Sequence, residues 1–251
     1  MSRLGRVRAE ATAAARSFLR RRTAVFFTFF FPVILVVIFG ALVRTQPTGG
    51  GLFAEPAGYY LPGYLAVVVL FTPLSRVGSE IARHRDGNRF EKLATTPLTR
   101  AEWLLAHTVV NVAIIGAASL LIFGLVLAVT DAAVRVTPAL AVLPVFVAVG
   151  VATFCGLGAL LGAAADSQDG VIAASNTVAL PLLFLSETFV APSMLPGWFL
   201  PLVNLSPLTY FARGVRAITY GGGAWAGHLV VLSGLALVLL AAGALALPRT
   251  D

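Results

Sequence analysis

Residues 78–103 read GSEIARHRDGNRFEKLATTPLTRAEW, and this charged island sets how the rest of the chain is arranged. Arg83, Arg85, Arg89, Lys92 and Arg100 stand among Glu80, Asp86, Glu91 and Glu102, with Phe90, Leu93 and Leu98 interleaved. On one side residues 56–75 carry no charge; on the other, residues 103–130 carry none. A membrane helix needs about 20 predominantly apolar residues. The island therefore reads as a loop between two crossings, and its basic content assigns it to the cytoplasm.

Working outward, the composition agrees. Of 251 residues, 58% are hydrophobic and 12% charged, against roughly 25% charged in a soluble domain. The length suits one compact bundle over residues 1–251. The net charge of +7 would suggest nucleic acid in a soluble protein. Here the basic residues mostly flank apolar spans, so orientation in the bilayer explains them and no nucleic-acid partner is expected. The single Cys155 lies inside an apolar run and forms no internal disulfide. A cleavable signal peptide is not expected: the basic head is long, contains Glu10, and precedes an apolar run of spanning length.

The apolar runs predict an all-α integral membrane protein with six transmembrane helices, at about 23–43, 57–76, 104–129, 137–164, 170–189 and 225–247. With the N-terminus inside, the inner segments hold fourteen Arg and Lys residues and the outer segments four (Arg44, Arg135, Arg213 and Arg216), so both termini are expected in the cytoplasm. Within residues 1–22, Leu4, Val7, Ala11, Ala14, Phe18 and Leu19 fall at helical spacing with arginines around them. This predicts an amphipathic helix on the inner membrane face, the alternative being a plain basic anchor. Residues 191–212 are uncharged but hold Pro192, Pro196, Pro201 and Pro207. Proline breaks helices, and irregular backbone survives at membrane depth only under protein or water. The segment predicts short re-entrant or interfacial helices on the external side, where Trp198 and Tyr210 suit an interface. Gly221, Gly222 and Gly223 predict a hinge before the last span.

Absent chemistry narrows the function. A phosphate-gripping P-loop ends in Gly-Lys-Ser/Thr, and the only lysine, Lys92, follows Glu91. No H-E-x-x-H or G-x-S-x-G occurs, and His84, His107 and His228 are scattered. No catalytic residues, metal site or cofactor are expected on this chain. Polar residues inside the spans, Asn111, Ser175, Asn176 and Thr177, ordinarily hydrogen-bond neighbouring helices. Asn111, Asn176 and Ser186 are also candidates to line a translocation pathway. Glu187 stands near the end of a span, where an acidic group is a functional candidate. Its structural alternative is an interfacial residue that reaches water or pairs with Arg213 or Arg216.

Two stretches carry a family likeness. One runs from Glu80 to Leu105 and contains GNRFEKLATTPLTRAEWLL; the other is LPLLFLSETFVAPSMLPGWFLPLVNLSPLTYFARGVRAI, residues 180–218. With six spans and an amphipathic N-terminus, they resemble the membrane subunit of type-2 ABC transporters, a permease family that includes drug, antibiotic and polysaccharide exporters. Two departures stand out: Glu187, where the family more usually has a small residue such as glycine, and Asn88, where threonine is frequent.

The resemblance implies that residues 78–103 form a coupling helix docking on an ATP-binding subunit. The residues assigned to that role are Glu80, Arg83, Arg85, Gly87, Phe90, Glu91, Lys92, Leu93, Thr96, Pro97 and Leu98. Charged residues there suit salt-dependent docking, and Phe90, Leu93 and Leu98 suit apolar anchors. Pro97 can stop one short helix, and Thr99 with Glu102 can form a capping box for the next. An ordinary solvated loop is the alternative. The resemblance further implies two ATP-binding subunits carrying ATP and Mg, a second copy or a related permease, contact with membrane lipid, and an external gate. The gate residues would be Pro192, Pro196, Trp198, Pro207 and Tyr210. An ATP-independent secondary transporter or channel would show charges at mid-span or an inverted repeat; neither is evident in the sequence. A non-transporting membrane component of an ABC-linked system stays open.

Overall fold

The computed structural model describes residues 2–42, 55–189 and 195–247, and among them every regular element is helical. Helix α1 (Arg3–Arg20) is capped by Ser2, whose hydroxyl accepts from the Gly5 N–H at 3.2 Å. The chain kinks at Arg21 and enters α2 (Arg22–Val36), which contains Pro32 and loosens into a π-helical turn at Val37–Leu42. Next come α3 (Leu61–Asp86), α4 (Arg89–Ala94) and α5 (Arg100–Val129). They are followed by α6 (Leu143–Ala164), α7 (Gln168–Phe184), the short α8 (Leu200–Val203), α9 (Pro207–Arg216) and α10 (Trp225–Ala246).

Five helices among the described residues are long and apolar enough to cross a bilayer: Arg22–Gly40, Ala57–Asp86, Arg100–Val129, Pro138–Ala164 and Trp225–Ala246. The sequence pattern predicts six. The difference lies at residues 170–189, where α7 has 17 residues, roughly 25 Å at 1.5 Å per residue. The second expected span also differs, because α3 runs past Arg76 to Asp86. The start of the charged island is thus the end of a long helix, and Arg76 sits within it.

Helix α3 is the centre of the bundle. Its apolar residues surround the axis rather than forming a stripe, which is the pattern of a helix enclosed by others. It packs against α6, α7, α5 and α9. Between α3 and α6 the backbones touch: a Cβ added at Gly158 would lie 2.5 Å from the Leu74 carbonyl oxygen, and one at Gly162 2.6 Å from that of Gly78. Small residues four apart permit this approach, and packing then replaces the hydrophobic drive that lipid removes. Helix α10 is apolar on all faces yet mostly exposed, with Val230, Leu237, Val238 and Leu245 facing outward. Such a surface requires lipid or another chain around it.

Candidate functional site

The α4 end of the bundle carries the charged island. Asn88 adopts a left-handed conformation at φ 50°, turning the chain out of α3 and into α4. Asn tolerates that region better than most residues. Thr95 and Thr96 hydroxyls donate to the Lys92 and Leu93 carbonyls, ending α4 before Pro97. Helix α5 then opens on the predicted capping box: the Thr99 hydroxyl accepts from the Glu102 N–H at 3.2 Å, and the Thr99 N–H donates to Glu102 Oε2 at 3.0 Å. The box leaves α4 as a short helix slung between two long ones.

The apolar residues assigned to docking face inward. Phe90 lies 5.7 Å from Trp103 and 5.4 Å from His84, ring to ring, and Leu93 and Leu98 pack on the same core. The anchors expected for a partner thus root α4 to its own bundle, because the rings of α3 and α5 already form an apolar seat for them. Glu80, Arg83 and Arg85 are also engaged within the chain. Glu80 accepts from Arg83 Nη1 at 2.9 Å and Arg21 Nη1 at 3.4 Å, while Arg85 donates to the Ala165 carbonyl before α7. The exposed residues of the island include Asp86, Gly87, Asn88, Arg89, Glu91, Lys92, Thr95, Thr96 and Pro97.

Helix α1 is pinned beside this end. Arg6 makes a two-pronged contact with Glu102, Nε to Oε2 at 3.0 Å and Nη2 to Oε1 at 2.5 Å. Glu10 Oε1 lies 3.3 Å from His107 Nε2, and that hydrogen bond holds the Glu10 carboxyl below its usual range. Ala14 and Phe18 are buried. The predicted amphipathic helix is present, but its polar side does not simply face outward: Arg6 turns into the bundle, while Leu4 and Leu19 stay exposed.

Beside α1, the helices α2, α3 and α7 border an open groove of about 810 Å³. Of the pathway candidates, Asn176 lines it. Arg76, on its wall, lies over the Phe18 ring with the guanidinium carbon 4.4 Å from the centroid, and donates to Asn111 Oδ1 at 3.3 Å. Asn111 is 0% exposed and passes a hydrogen bond on to the His107 carbonyl. Asn111 is therefore enclosed by helices, with its side chain committed to Arg76 and to the α5 backbone.

At the opposite end Glu187 is a hub. It is 2% exposed and sits at φ 57°, a region that glycine enters without penalty. Its carboxylate accepts from Arg213 Nε at 2.8 Å and Nη2 at 2.5 Å, and Arg213 Nη1 reaches Asn204 Oδ1 at 2.9 Å. Arg216 Nη2 donates to the Glu187 carbonyl at 2.6 Å, and the Arg216 guanidinium carbon lies 3.9 Å from the Tyr59 ring centroid. Ser186 is buried, 2.7 Å from the Ser206 hydroxyl. Of the two pairings expected for the Glu187 carboxylate, the one with Arg213 occurs, while Arg216 meets the backbone carbonyl instead.

The Pro-rich segment forms short helices where described. Pro196 precedes a 3-10 turn at Gly197–Phe199, and Pro207 opens α9. Tyr210 donates to the Asn204 carbonyl, and Trp198 is 73% exposed. Pro192 lies outside the described residues. The glycines before α10 make a turn, with positive φ at Gly222 and Gly223.

Residues 7–220 match the family model for the ABC-2 type transporter. Over 215 residues the chain is 28% identical to a Streptomyces coeruleorubidus protein described as "Daunorubicin resistance ABC transporter permease protein DrrB1", covering 82% of this chain and 72% of that one. With most of its length matched and its apolar helices built around α3, the chain belongs to the ABC-2 type transporter family, as a multi-pass membrane permease.

Proposed function

We propose that this chain is the membrane half of an ATP-driven exporter that works with separate ATP-binding subunits through α4. The family and the relative's description support the export role. The observation that carries the coupling role is the two-sided construction of α4. Its Phe90 is seated against Trp103 and His84, while Arg89, Glu91 and Lys92 stand exposed on the other side. A force applied to those charges would pass to α3 through Phe90, to α5 through the capping box, and to α1 through Arg6 and Glu102.

In this reading α7 is the fifth of six crossings, both termini are cytoplasmic, and residues 191–212 form part of an external gate. Two copies, or one copy and a related permease, would enclose the pathway with Asn176 facing it. ATP and Mg would bind the partner subunits. The test is copurification of a tagged ATP-binding subunit with the permease. The triple charge reversal R89E/E91K/K92E is expected to reduce recovery about tenfold, the scale of a few rim charges, without changing the melting temperature. Undiminished recovery would overturn the docking role of α4.

A further inference from the structure

The groove between α2, α3 and α7 differs chemically along its length. Arg21 and Arg83 line it toward the α4 end, with Arg76 midway along α3; toward the opposite end the walls carry Phe27, Phe31 and Phe71 together with Thr28 and Thr72. From Phe71 to Arg83 along α3 is roughly 18 Å, enough for a charged head and part of a hydrocarbon tail. The charges are unbalanced. Glu80 offers one carboxylate, already shared by Arg21 and Arg83. Arg76 forms no close ion pair among the described residues; Glu80, one turn on, acts on it at longer range, and its direct contacts are the Asn111 side chain and the Phe18 ring. Three guanidinium groups therefore share the single carboxylate of Glu80 in this groove, and cations gathered at membrane depth mark a functional candidate.

We propose that this groove binds an anionic amphiphile, its phosphate or carboxylate head on Arg76, Arg21 and Arg83 and its apolar body along Phe27, Phe31 and Phe71. Guanidinium groups bind such heads by paired charge-assisted hydrogen bonds. The same three groups reject a cationic amphiphile of equal size, since like charges brought together disfavour the wrong partner. The chemistry has two sources: an anionic phospholipid of the surrounding leaflet, or a single-chain amphiphilic acid. The proposal deepens the exporter reading, and rests on it only where the occupant is called cargo.

The test is direct binding to the purified full chain by native mass spectrometry, without ATPase or transport. Phosphatidylglycerol, phosphatidylcholine and dodecyl phosphate are titrated separately and in competition. Phosphatidylglycerol is expected to bind about tenfold more tightly than phosphatidylcholine, the scale of one charge-assisted contact. R76Q should abolish the preference. N176E, an exposed change that sets a carboxylate in the groove, should abolish it too, without touching the Arg76 contacts. R8Q/R16Q removes two exposed charges from α1 and should leave it intact, separating the groove from general attraction to a basic surface. Displacement of phosphatidylglycerol by dodecyl phosphate assigns the site to amphiphilic acids at large; no displacement assigns it to the phospholipid. Equal binding of the two phospholipids to the unaltered chain overturns the proposal, as does a preference that survives both R76Q and N176E. A dimer that excludes lipid would show a second copy filling the groove and would overturn it as well. None of these outcomes bears on ATPase docking, so the two proposals fail separately.

Discussion

Glu187 shows how much one position can decide. A non-glycine residue at φ 57° costs about 1 kcal/mol, and a buried carboxylate costs several more unless paired. Both costs are offset by Arg213 and Arg216, which bind the carboxylate and the carbonyl of the same residue. The family's usual small residue at this position fits the backbone directly; glutamate here instead ties the end of α7 to α9. Removing either member of the ion pair leaves the other uncompensated, but not equally. Arg213 retains 30% side-chain exposure and can turn to water, whereas Glu187 retains 2%. R213A is therefore expected to destabilise more than E187A, by about 3–5 kcal/mol against 1–3, read as melting temperatures in the same detergent. An equal or reversed order would mean that the carboxylate reaches water. In sequence Glu187 could be matched to two arginines, but the left-handed backbone beneath it gave no signal, since φ is set by the turn the chain must make between α7 and the Pro-rich segment.

Among the elements, α1 and α5 are joined at one residue. Glu102 closes the capping box of α5 and receives Arg6 of α1, so a single carboxylate fixes a helix start and docks a second helix. E102Q should keep the capping box while losing the ion pair; E102A should lose the ion pair and the return bond to the Thr99 N–H, while the Thr99 hydroxyl still caps the backbone N–H of residue 102. Limited proteolysis of residues 2–20 is expected to accelerate in the order wild type, E102Q, E102A. Equal rates would show that α1 is held by its other contacts, Glu10 with His107 and the buried Ala14 and Phe18. Acid should loosen the same helix. The folded-state pKa of Glu10 is lowered by its hydrogen bond with His107, so its contribution is complete above the unfolded value near 4.3 and fades as pH falls below about 4. The capping box was legible because it is a four-residue pattern. The inward turn of Phe90 was not, because a six-residue helix has no long apolar period and its two faces look alike until α3 and α5 are placed.

Across the whole molecule, the proposed six-crossing path makes a simple demand. The one described cysteine, Cys155, is buried, so single cysteines introduced elsewhere can be labelled against a quiet background. D169C and W198C, at opposite ends of α7 and the segment after it, should react with an impermeant maleimide from opposite sides of the membrane. Labelling from the same side would reduce α7 to a re-entrant helix. By itself the sequence determined the class of the protein: long charge-free runs leave no option but helices in lipid, and the two motif stretches place it among type-2 permeases. It also determined the amphipathic first helix and the cap of α5, because these signals are local in the chain. Only the tertiary structure decided which charges are spent inside and which remain free. Arg6, Arg83 and Arg85 read the same as Arg89 in the sequence, yet the first three are tied to Glu102, Glu80 and Ala165 while Arg89 stands exposed. The close crossing at Gly78, Gly158 and Gly162 was likewise decided in three dimensions. The physical reason is common to both: ion pairing and backbone contact depend on the distance between helices, and residues 80 or 96 positions apart become neighbours only once the bundle has closed.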